Sequence, residues 1–217
     1  MTFIVDPDVK KRISLISQLI KTTRGFMAEP EGLALAHGLW LTREAPANPA
    51  IEIGSYLGLS TIYLGVVAQM LGQKLITIDH HRGSEEIQPG WEHHDPSVVD
   101  PVAGRIDTLY GLRRTIALAG LEDSVIIVAS DSQAFASVFE TTIGFLFIDG
   151  GHGKEQEHLD FDNWAPKLPS GGILAIHDVF EDPDLGGAPP YEIYLRSKEL
   201  GYSQLYSVGS LRVMQKA

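Results

Sequence analysis

Short apolar runs alternate along the chain with longer segments in which apolar residues recur at helical spacing. A run of about four to eight apolar residues bounded by turn residues is typical of a strand in a sheet covered on both faces, and the periodic segments predict helices. The predicted strands cover residues 50–54, 74–79, 124–130, 144–149 and 171–178, followed by two that meet in a hairpin at Gly209. The predicted helices cover residues 7–22, 30–43, 59–71, 101–119, 132–140, 154–167 and 191–200.

This alternation predicts a single α/β domain over residues 1–217, built on a mostly parallel sheet with helices on both faces. Residues 1–45 supply its N-terminal helices. Residues 80–100 are too long for an ordinary strand-to-helix link, and we interpret them as an inserted lid or interface loop. Ligands of such sheets bind at the carboxyl ends of the strands, so the residues that follow each strand are the candidate site.

Composition and charge restrict the partners of the protein. The chain contains no cysteine, which excludes disulfides, thiolate catalysis and cysteine-ligated metal sites. Its formal net charge is −11 and it has no cluster of basic residues, so nucleic acid and anionic membranes are disfavoured. Because no apolar run is long enough to span a bilayer and no secretory signal pattern is present, we expect a cytoplasmic protein.

The turn after the first predicted strand carries the clearest binding signal. It reads EIGSYLGLST over residues 52–61. Gly54 and Gly58 allow a tight turn and a close approach of the backbone to a ligand, and Ser60 opens a helix whose N-terminus favours a carboxylate. The glycine spacing differs from G-x-G-x-x-G, which disfavours a pyrophosphate. The alternative is an ordinary strand-to-helix turn.

Acidic residues follow the next two strands. Asp79 can accept hydrogen bonds from both hydroxyls of a ribose, or it can cap the following turn. Asp131, between Ser130 and Ser132, can accept a hydrogen bond from an adenine amino group, or it can cap a helix. Together with the glycine turn, Asp79 predicts a nucleoside site on the first two strands.

The ordered strand ends IEIGSYLGLST, ITID, VASDS, FLFIDGGH and GGILAIHDV resemble those of the class I S-adenosylmethionine (SAM)-dependent methyltransferases. The most similar branch is the small O-methyltransferases related to catechol O-methyltransferase, including the group whose fourth strand ends in IDG-x-H. The resemblance covers roughly residues 30–180. It implies a Rossmann-like three-layer αβα sandwich whose seven-stranded sheet has the order 3-2-1-4-5-7-6 and an antiparallel last strand.

The resemblance also implies a binding site for SAM. The residues it assigns to the cofactor are Glu52, Gly54, Tyr56, Gly58 and Ser60 around the methionine part, with Ser55 in the same turn, then Asp79 at the ribose, Ser130, Asp131 and Ser132 beside the adenine, and Asp149 as a further contact.

Asp149 and Asp178 follow the fourth and fifth strands, which we expect to be neighbours. Neighbouring strands lie about 4.8 Å apart, so two carboxylates there can bind a divalent cation such as Mg²⁺. A cation would lower the pKa of a substrate hydroxyl and orient its oxygen. In the catechol-type enzymes an Asn or Asp follows the second acid as a ligand, whereas this chain has Val179, which leaves His177, His152 or water. Without a metal, Asp149 caps its loop and Asp178 begins a turn.

His152 lies three residues after Asp149, at about the place of the catalytic lysine in the catechol-type enzymes. Because the ordinary pKa of a histidine side chain is near neutral pH, His152 is the candidate general base, with Asp149 as the second catalytic residue. A loop-ordering role or metal ligation are alternatives for His152, and Lys154 is a second candidate base. The histidine-rich loop 80–95 and the N-terminal helices are expected to shape the acceptor pocket.

These features predict an enzyme that transfers the methyl group of SAM to a hydroxyl of a small-molecule metabolite, with or without a divalent metal. Enzymes of this kind are often homodimers. The alternatives are a dinucleotide-dependent oxidoreductase, a metal-dependent hydroxylase-like protein on the same fold, or a non-catalytic SAM-binding protein.

Overall fold

The computed structural model describes residues 3–45, 48–84, 87–88, 90, 94–151, 153–182 and 188–217. The strands are β1 (Ala50–Ile53), β2 (Leu75–Asp79), β3 (Val99–Asp100), β4 (Arg105–Ile106), β5 (Val125–Ala129), β6 (Phe145–Ile148), β7 (Ile173–Ile176), β8 (Tyr202–Val208) and β9 (Leu211–Lys216). The helices are α1 (Pro7–Ser14), α2 (Ser17–Thr22), α3 (Glu29–Trp40), α4 (Leu59–Leu71), α5 (Leu109–Ala119), α6 (Ser132–Ala136), α7 (Lys154–Trp164) and α8 (Ala188–Glu199).

Seven strands form one sheet in the order β5-β2-β1-β6-β7-β9-β8. The five strands from β5 to β7 are mutually parallel, and β9 is antiparallel to both of its neighbours, β7 and β8. Strands β3 and β4 pair only with each other, so the remaining strands have the predicted order 3-2-1-4-5-7-6, which is confirmed. Parallel pairing places the carboxyl ends of five strands along one edge of the sheet.

The core consists of two apolar layers, one on each face of the sheet. Along β6, Phe145 and Phe147 point to the layer that contains α3 and α4, whereas Leu146 and Ile148 point to the layer that contains α7. Both faces of the strand are therefore buried, which explains its uninterrupted apolar sequence. No helix within the described residues has both the length and the apolar character needed to cross a bilayer.

Two predicted helices were wrong in extent. The segment 7–22 is divided into α1 and α2, and the helix predicted over 101–119 begins only at Leu109. At the start of the latter segment the Asp100 side chain accepts hydrogen bonds from the backbone N–H groups of Val102 and Ala103, at 2.9 and 2.5 Å. Gly104 then adopts a left-handed conformation with φ of 65°. This local turn competes with the helix and returns the chain into β4.

Two further helices begin or end differently from the prediction. The helix predicted over 132–140 ends at Ala136. The helix predicted over 191–200 begins at Ala188, with Pro189 and Pro190 in its first turn, where the missing N–H groups have no intrahelical partner to lose.

Candidate functional site

A cavity of about 790 Å³ opens at the carboxyl edge of the parallel strands. Its volume is in the range of small-molecule sites. The predicted site residues that line it are Gly54, Ser55, Tyr56, Ser60, Asp79, Ser130, Asp131, Ser132, Asp149 and Asp178. Glu52 and Gly58 are not part of its wall. His152 lies outside the described residues, and Lys154 is the first residue of α7.

The glycine turn between β1 and α4 packs directly against the end of β6. Gly54 has a φ of 85°, and a Cβ atom built there would lie 2.1 Å from the carbonyl oxygen of Asp149. Tyr56 also has a positive φ, of 45°. Gly58 has a φ of 93°, and a Cβ there would lie 2.8 Å from Leu112 of α5. Gly54 therefore brings two loops of the site together. Gly58 instead allows the turn to pack against α5.

Asp79 at the end of β2 connects two loops of the cavity. Its Oδ2 accepts hydrogen bonds from the backbone N–H groups of Ser55 and Tyr56, at 3.1 and 3.0 Å, and its Oδ1 accepts one from His81 at 2.7 Å. Capping of the following turn is thus observed. Because a carboxylate oxygen has two lone pairs, Oδ1 keeps acceptor capacity in the cavity wall, as ribose binding requires.

Asp131 caps α6. Its Oδ1 accepts hydrogen bonds from the backbone N–H groups of Gln133 and Ala134, both at 3.0 Å. The residue also lines the cavity, so the capping and adenine-binding interpretations do not exclude each other.

Asp160 of α7 is a second acid at this end of the cavity, and the sequence interpretation missed it. It is 1% exposed, and its Oδ1 accepts hydrogen bonds from the Ser132 hydroxyl and from Gln156. Burial raises the pKa of Asp160 to about 6. A sequence signal exists: Glu157, Asp160 and Trp164 have the spacing of one buried helix face, on which an acid is unusual.

Glu52 lies behind the cavity wall. It is fully buried, and the Thr61 hydroxyl of α4 donates a hydrogen bond to its Oε2 at 2.7 Å, while Oε1 has no hydrogen-bond partner among the described residues. Burial raises the pKa of Glu52 to about 7. Glu52 therefore links β1 to α4, and its assignment to the methionine part of the cofactor stays a prediction.

The two acids that follow β6 and β7 both lie next to Nδ1 of His177. The Nδ1 atom of His177 is 2.9 Å from Asp149 Oδ1 and 3.4 Å from Asp178 Oδ1. Potential metal-binding atoms of the three residues all lie within 4.8 Å of one another. Asp178 has a φ of 52°, a left-handed conformation that turns the chain immediately after His177. Three groups able to bind one cation are thus brought together in the structure.

Glu31 of α3 contacts the other side of His177, with its Oε2 3.5 Å from Nε2. Glu31 Oε1 accepts hydrogen bonds from the backbone N–H and the hydroxyl of Ser210, at 2.7 and 2.9 Å. The Ser210 hydroxyl also lies 3.3 Å from Asp178 Oδ1. We refer to Glu31, Asp149, His177, Asp178 and Ser210 as the acid–histidine cluster. The sequence interpretation named neither Glu31 nor Ser210, because neither follows a parallel strand.

Opposite charges dominate the electrostatics of the acid–histidine cluster. Burial acts to lower the pKa of His177, but the charge and hydrogen bond of Asp149, with Asp178 and Glu31, raise it to about 12. Burial likewise acts to raise the pKa of Glu31, but hydrogen bonds from His177 and Ser210 lower it to about 2. A buried positive charge is therefore stable at this position, between carboxylates.

The segment between α2 and α3 forms part of the cavity wall. Arg24, Phe26 and Met27 line the cavity, and the ring of Phe26 packs on that of Tyr56 with centroids 5.6 Å apart. Arg24 forms an ion pair with Asp95 of the inserted loop and donates a hydrogen bond to Ser97 at 2.7 Å. The N-terminal region and the insertion are therefore joined beside the cavity.

Comparisons with known proteins agree on the fold. Residues 51–179 match the sequence model of the methyltransferase domain. The structure is similar to that of the O-methyltransferase NovP, with a TM-score of 0.66, 13% sequence identity and coverage of 86% of this chain and 79% of that chain. It is also similar to a putative caffeoyl-CoA O-methyltransferase from Staphylococcus aureus, with a TM-score of 0.61, 16% identity and coverage of 98% and 100%.

The structure is similar, too, to that of the O-methyltransferase from Bacillus cereus in complex with SAH. The TM-score is 0.57, the sequence identity is 18%, and the match covers 100% of this chain and 94% of that chain. Among curated proteins, the uncharacterized protein y4gI of Sinorhizobium fredii is 25% identical over 158 residues, which are 70% of this chain. The match spans only 16% of the length of that relative.

Proposed function

Since this chain belongs to the family of methyltransferase domains, we propose that it transfers the methyl group of SAM to a hydroxyl oxygen of a small molecule. The observation that carries the proposal is one cavity whose wall contains the glycine turn and Asp79 at one part and Asp149 and Asp178 at another. Such a cavity has room for a nucleoside cofactor and a small acceptor together. SAH bound to the similar enzyme from Bacillus cereus is consistent with this.

The cavity wall fits SAM. The missing side chain of Gly54 lets a ligand and the Asp149 loop approach the same turn. The N-terminus of α4 beside Ser60 suits the methionine carboxylate, since helix N-termini favour anions. Asp79 Oδ1 is available for a ribose hydroxyl, and Ser130, Asp131 and Ser132 border the space for the base.

Asp149 and Asp178 are proposed to hold the acceptor oxygen. When bound, SAM supplies a methyl group whose bond to sulfur breaks as the bond to the acceptor oxygen forms. This displacement requires the acceptor oxygen, the methyl carbon and the sulfur to lie in line. Positioning of the oxygen by Asp149 and Asp178 therefore contributes much of the rate. The same carboxylates fit a divalent cation, which would lower the pKa of the acceptor hydroxyl. His152 is the proposed base that accepts the hydroxyl proton.

A dinucleotide is the alternative ligand, and the structure of the glycine turn disfavours it. Gly58 packs against Leu112 of α5 and is absent from the cavity wall, so this turn offers no second glycine to the ligand as a pyrophosphate-binding turn does.

The test begins with calorimetric titration of the protein with SAH and, separately, with NAD⁺. We expect SAH to bind with a Kd of about 1–100 μM and NAD⁺ not to bind, in line with ordinary cofactor affinities. Methyl-labelled SAM and a panel of phenols and alcohols then identify the acceptor. His152→Gln should lower turnover by about 100-fold or more while SAH affinity is retained. Binding of NAD⁺ without SAH would contradict the proposal.

A further inference from the structure

We propose that Asp160 is a positioning residue of the cofactor cavity, and that the cavity binds the nucleoside cofactor more tightly when the Asp160 side chain is protonated. The inference rests on the proposed function, because the ligand concerned is SAM or its product SAH. It adds a residue from the middle of α7 to the cofactor site, and it predicts that cofactor binding takes up protons.

The Asp160 carboxyl group connects two loops of the cavity wall. Its Oδ1 accepts hydrogen bonds from the hydroxyl of Ser132 and, at 3.3 Å, from the side-chain amide of Gln156. Ser132 ends the loop of residues 130–132, which lines the cavity. On the other side, a Cβ atom built on Gly150 would lie 3.3 Å from Asp160 Oδ2. Asp160 therefore sets the position of the 130–132 loop relative to the loop that follows β6.

The same hydrogen bonds indicate which oxygen of Asp160 carries a proton in the neutral acid. Oδ1 accepts from two donors, so the proton resides on Oδ2. Burial raises the pKa of Asp160 to about 6 against the opposing effect of the hydrogen bond from Ser132, and the negative charge of Asp131 adds to the rise. Both protonation states are therefore populated between about pH 5 and pH 7.

Asp131 is the charged group that acts on Asp160, and it is the N-cap of the neighbouring helix α6. Other charged or titratable groups on the elements packed around Asp160 are Glu157, His158 and Asp162 of α7, Glu192 and Arg196 of α8, Asp149 after β6 and Lys167 after α7. The two residues of α8 pair across to α7, with His158 and Asp162. An ionised Asp160 therefore places a second negative charge beside Asp131.

A bound nucleoside changes the balance between the two states of Asp160. Because Asp160 and Ser132 line the cavity, a ligand there displaces water from this part of the wall. Loss of water disfavours the charged carboxylate, so binding raises the pKa of Asp160 above its value in the free protein. SAH affinity is therefore highest below about pH 6 and falls as the pH rises through the pKa values of the free and bound states.

The experiment measures SAH affinity calorimetrically from pH 5 to pH 7.5, in the wild-type chain and in Asp160→Asn. The Kd of the wild type should rise about 3- to 10-fold over this range, since a pKa change of one unit on binding corresponds to tenfold in affinity. The amide of the variant keeps the acceptor for Ser132 and resembles the neutral acid. Asp160→Asn should therefore match the wild type at pH 5 and bind SAH about 3- to 10-fold more tightly than the wild type at pH 7.5.

This comparison separates Asp160 from other groups and from damage to the fold. Burial raises the pKa of Glu52 to about 7, but its titration affects both proteins, so the ratio of the two affinities isolates Asp160. A gain of affinity at pH 7.5 cannot result from a damaged fold. Asp162→Asn is the matched control, because Asp162 lies on the same helix but is half exposed and outside the cavity wall. It should keep the pH profile of the wild type.

Ser132→Ala tests the positioning role. Without the hydroxyl the 130–132 loop loses its link to Asp160, so SAH affinity should fall by about 2- to 10-fold at pH 5, the effect of one hydrogen bond. Because the hydrogen bond from Ser132 lowers the pKa of Asp160, the fall in affinity should also move to higher pH in this variant. A structural defect alone would lower the affinity without moving the profile.

Equal pH dependence of SAH binding in the wild type and Asp160→Asn would overturn the inference. If the variant does not fold, titration of the wild type at pH 6.5 in two buffers of different ionisation enthalpy decides. We expect uptake of about half a proton per SAH bound, and no uptake or a release of protons refutes the role of Asp160. SAH binding without pH dependence refutes this role alone, whereas failure to bind SAH at any pH contradicts the proposed function.

Discussion

Gly54 is the residue of the glycine turn that packs against the Asp149 loop of the proposed cofactor site. In Gly54→Ala, the added Cβ would lie 2.1 Å from the Asp149 carbonyl oxygen at a backbone φ of 85°. One loop must move, so we expect SAH affinity to fall by about 10-fold, since the loss of one hydrogen bond costs about 0.5–1.5 kcal/mol and about 1.4 kcal/mol is tenfold in Kd. Calorimetric titration with SAH measures the change.

Gly72→Ala provides the matched control for backbone strain. Gly72 has a φ of 65°, and no atom lies within 4 Å of a Cβ built there. The left-handed conformation should cost about 1–2 kcal/mol of stability in this variant, with SAH affinity unchanged. A similar loss of SAH affinity in both variants would show that contact with the Asp149 loop is not the cause.

Asp160 predicts a pH dependence of stability that can be isolated by substitution. Burial raises its pKa from 3.8 to about 6. Between these values the folded chain retains a proton that the unfolded chain has lost. The stabilisation is therefore complete below about pH 4 and is lost as the pH rises through about 6. Relative to Asp160→Asn, the wild type should lose about 2–3 kcal/mol of unfolding free energy from pH 4 to pH 7.

Urea unfolding of both proteins at several pH values measures this difference. Asp162→Asn is the control, because Asp162 lies on the same helix but is half exposed and pairs with Arg196 at 2.6 Å. If Asp162→Asn shows the same trend as Asp160→Asn, burial of Asp160 is not responsible for it.

At the scale of elements, the contact between α3 and α4 depends on a glycine. A Cβ on Gly32 would lie 2.3 Å from the ring of Tyr63, which is 1% exposed. Gly32→Ala should therefore lower the unfolding free energy by about 1–3 kcal/mol through overpacking. At Gly38 of the same helix the nearest atom would be 3.3 Å away, so Gly38→Ala should stay within about 1 kcal/mol of the wild type.

Urea midpoints of the two variants check this prediction. Equal destabilisation by Gly32→Ala and Gly38→Ala would mean that the contact between Gly32 and Tyr63 does not determine how closely α3 packs on α4. The position of α3 matters for the site, because Glu31 precedes Gly32 on this helix.

The sequence predicted the elements whose signals are local. The five parallel strands were located to within two residues at either end, because each is an apolar run bounded by turn residues. Asp149 and Asp178 could be placed near each other because both follow parallel strands. Glu31 contacts His177, and Asp160 borders the cavity, only through tertiary packing of their helices. The helical spacing of α7 marks Asp160 as a buried acid but does not place it at the cavity, and no local pattern marks Glu31. The start of the helix predicted over residues 101–119 was wrong, because the turn that Asp100 stabilises is preferred to the helix that the apolar spacing indicates.

At the scale of the whole molecule, a ligand that fills the cavity connects the ends of five strands and should stabilise the entire domain. SAH at 100 times its Kd should contribute about 2.7 kcal/mol. For a domain of this size that corresponds to a rise in Tm of roughly 5–10 °C. Thermal unfolding followed by intrinsic fluorescence measures the shift.

NAD⁺ at the same concentration is the control ligand and should leave the Tm unchanged. An equal shift with NAD⁺ would favour the dinucleotide alternative. No shift with SAH at saturating concentration would count against the proposed cofactor.

The position of β9 between β7 and β8 also has a consequence for the order of folding. Residues 202–208 are synthesised before residues 211–216, yet β8 has no place in the sheet until β9 has paired with β7. During synthesis, β1, β2, β5, β6 and β7 can associate before β9, the neighbour of β8 in the sheet, has been made. Until then β7 is an exposed edge, and such an edge is open to pairing with other chains. Pairing of β9 with β7 therefore covers this edge and removes one route to aggregation of the nascent domain.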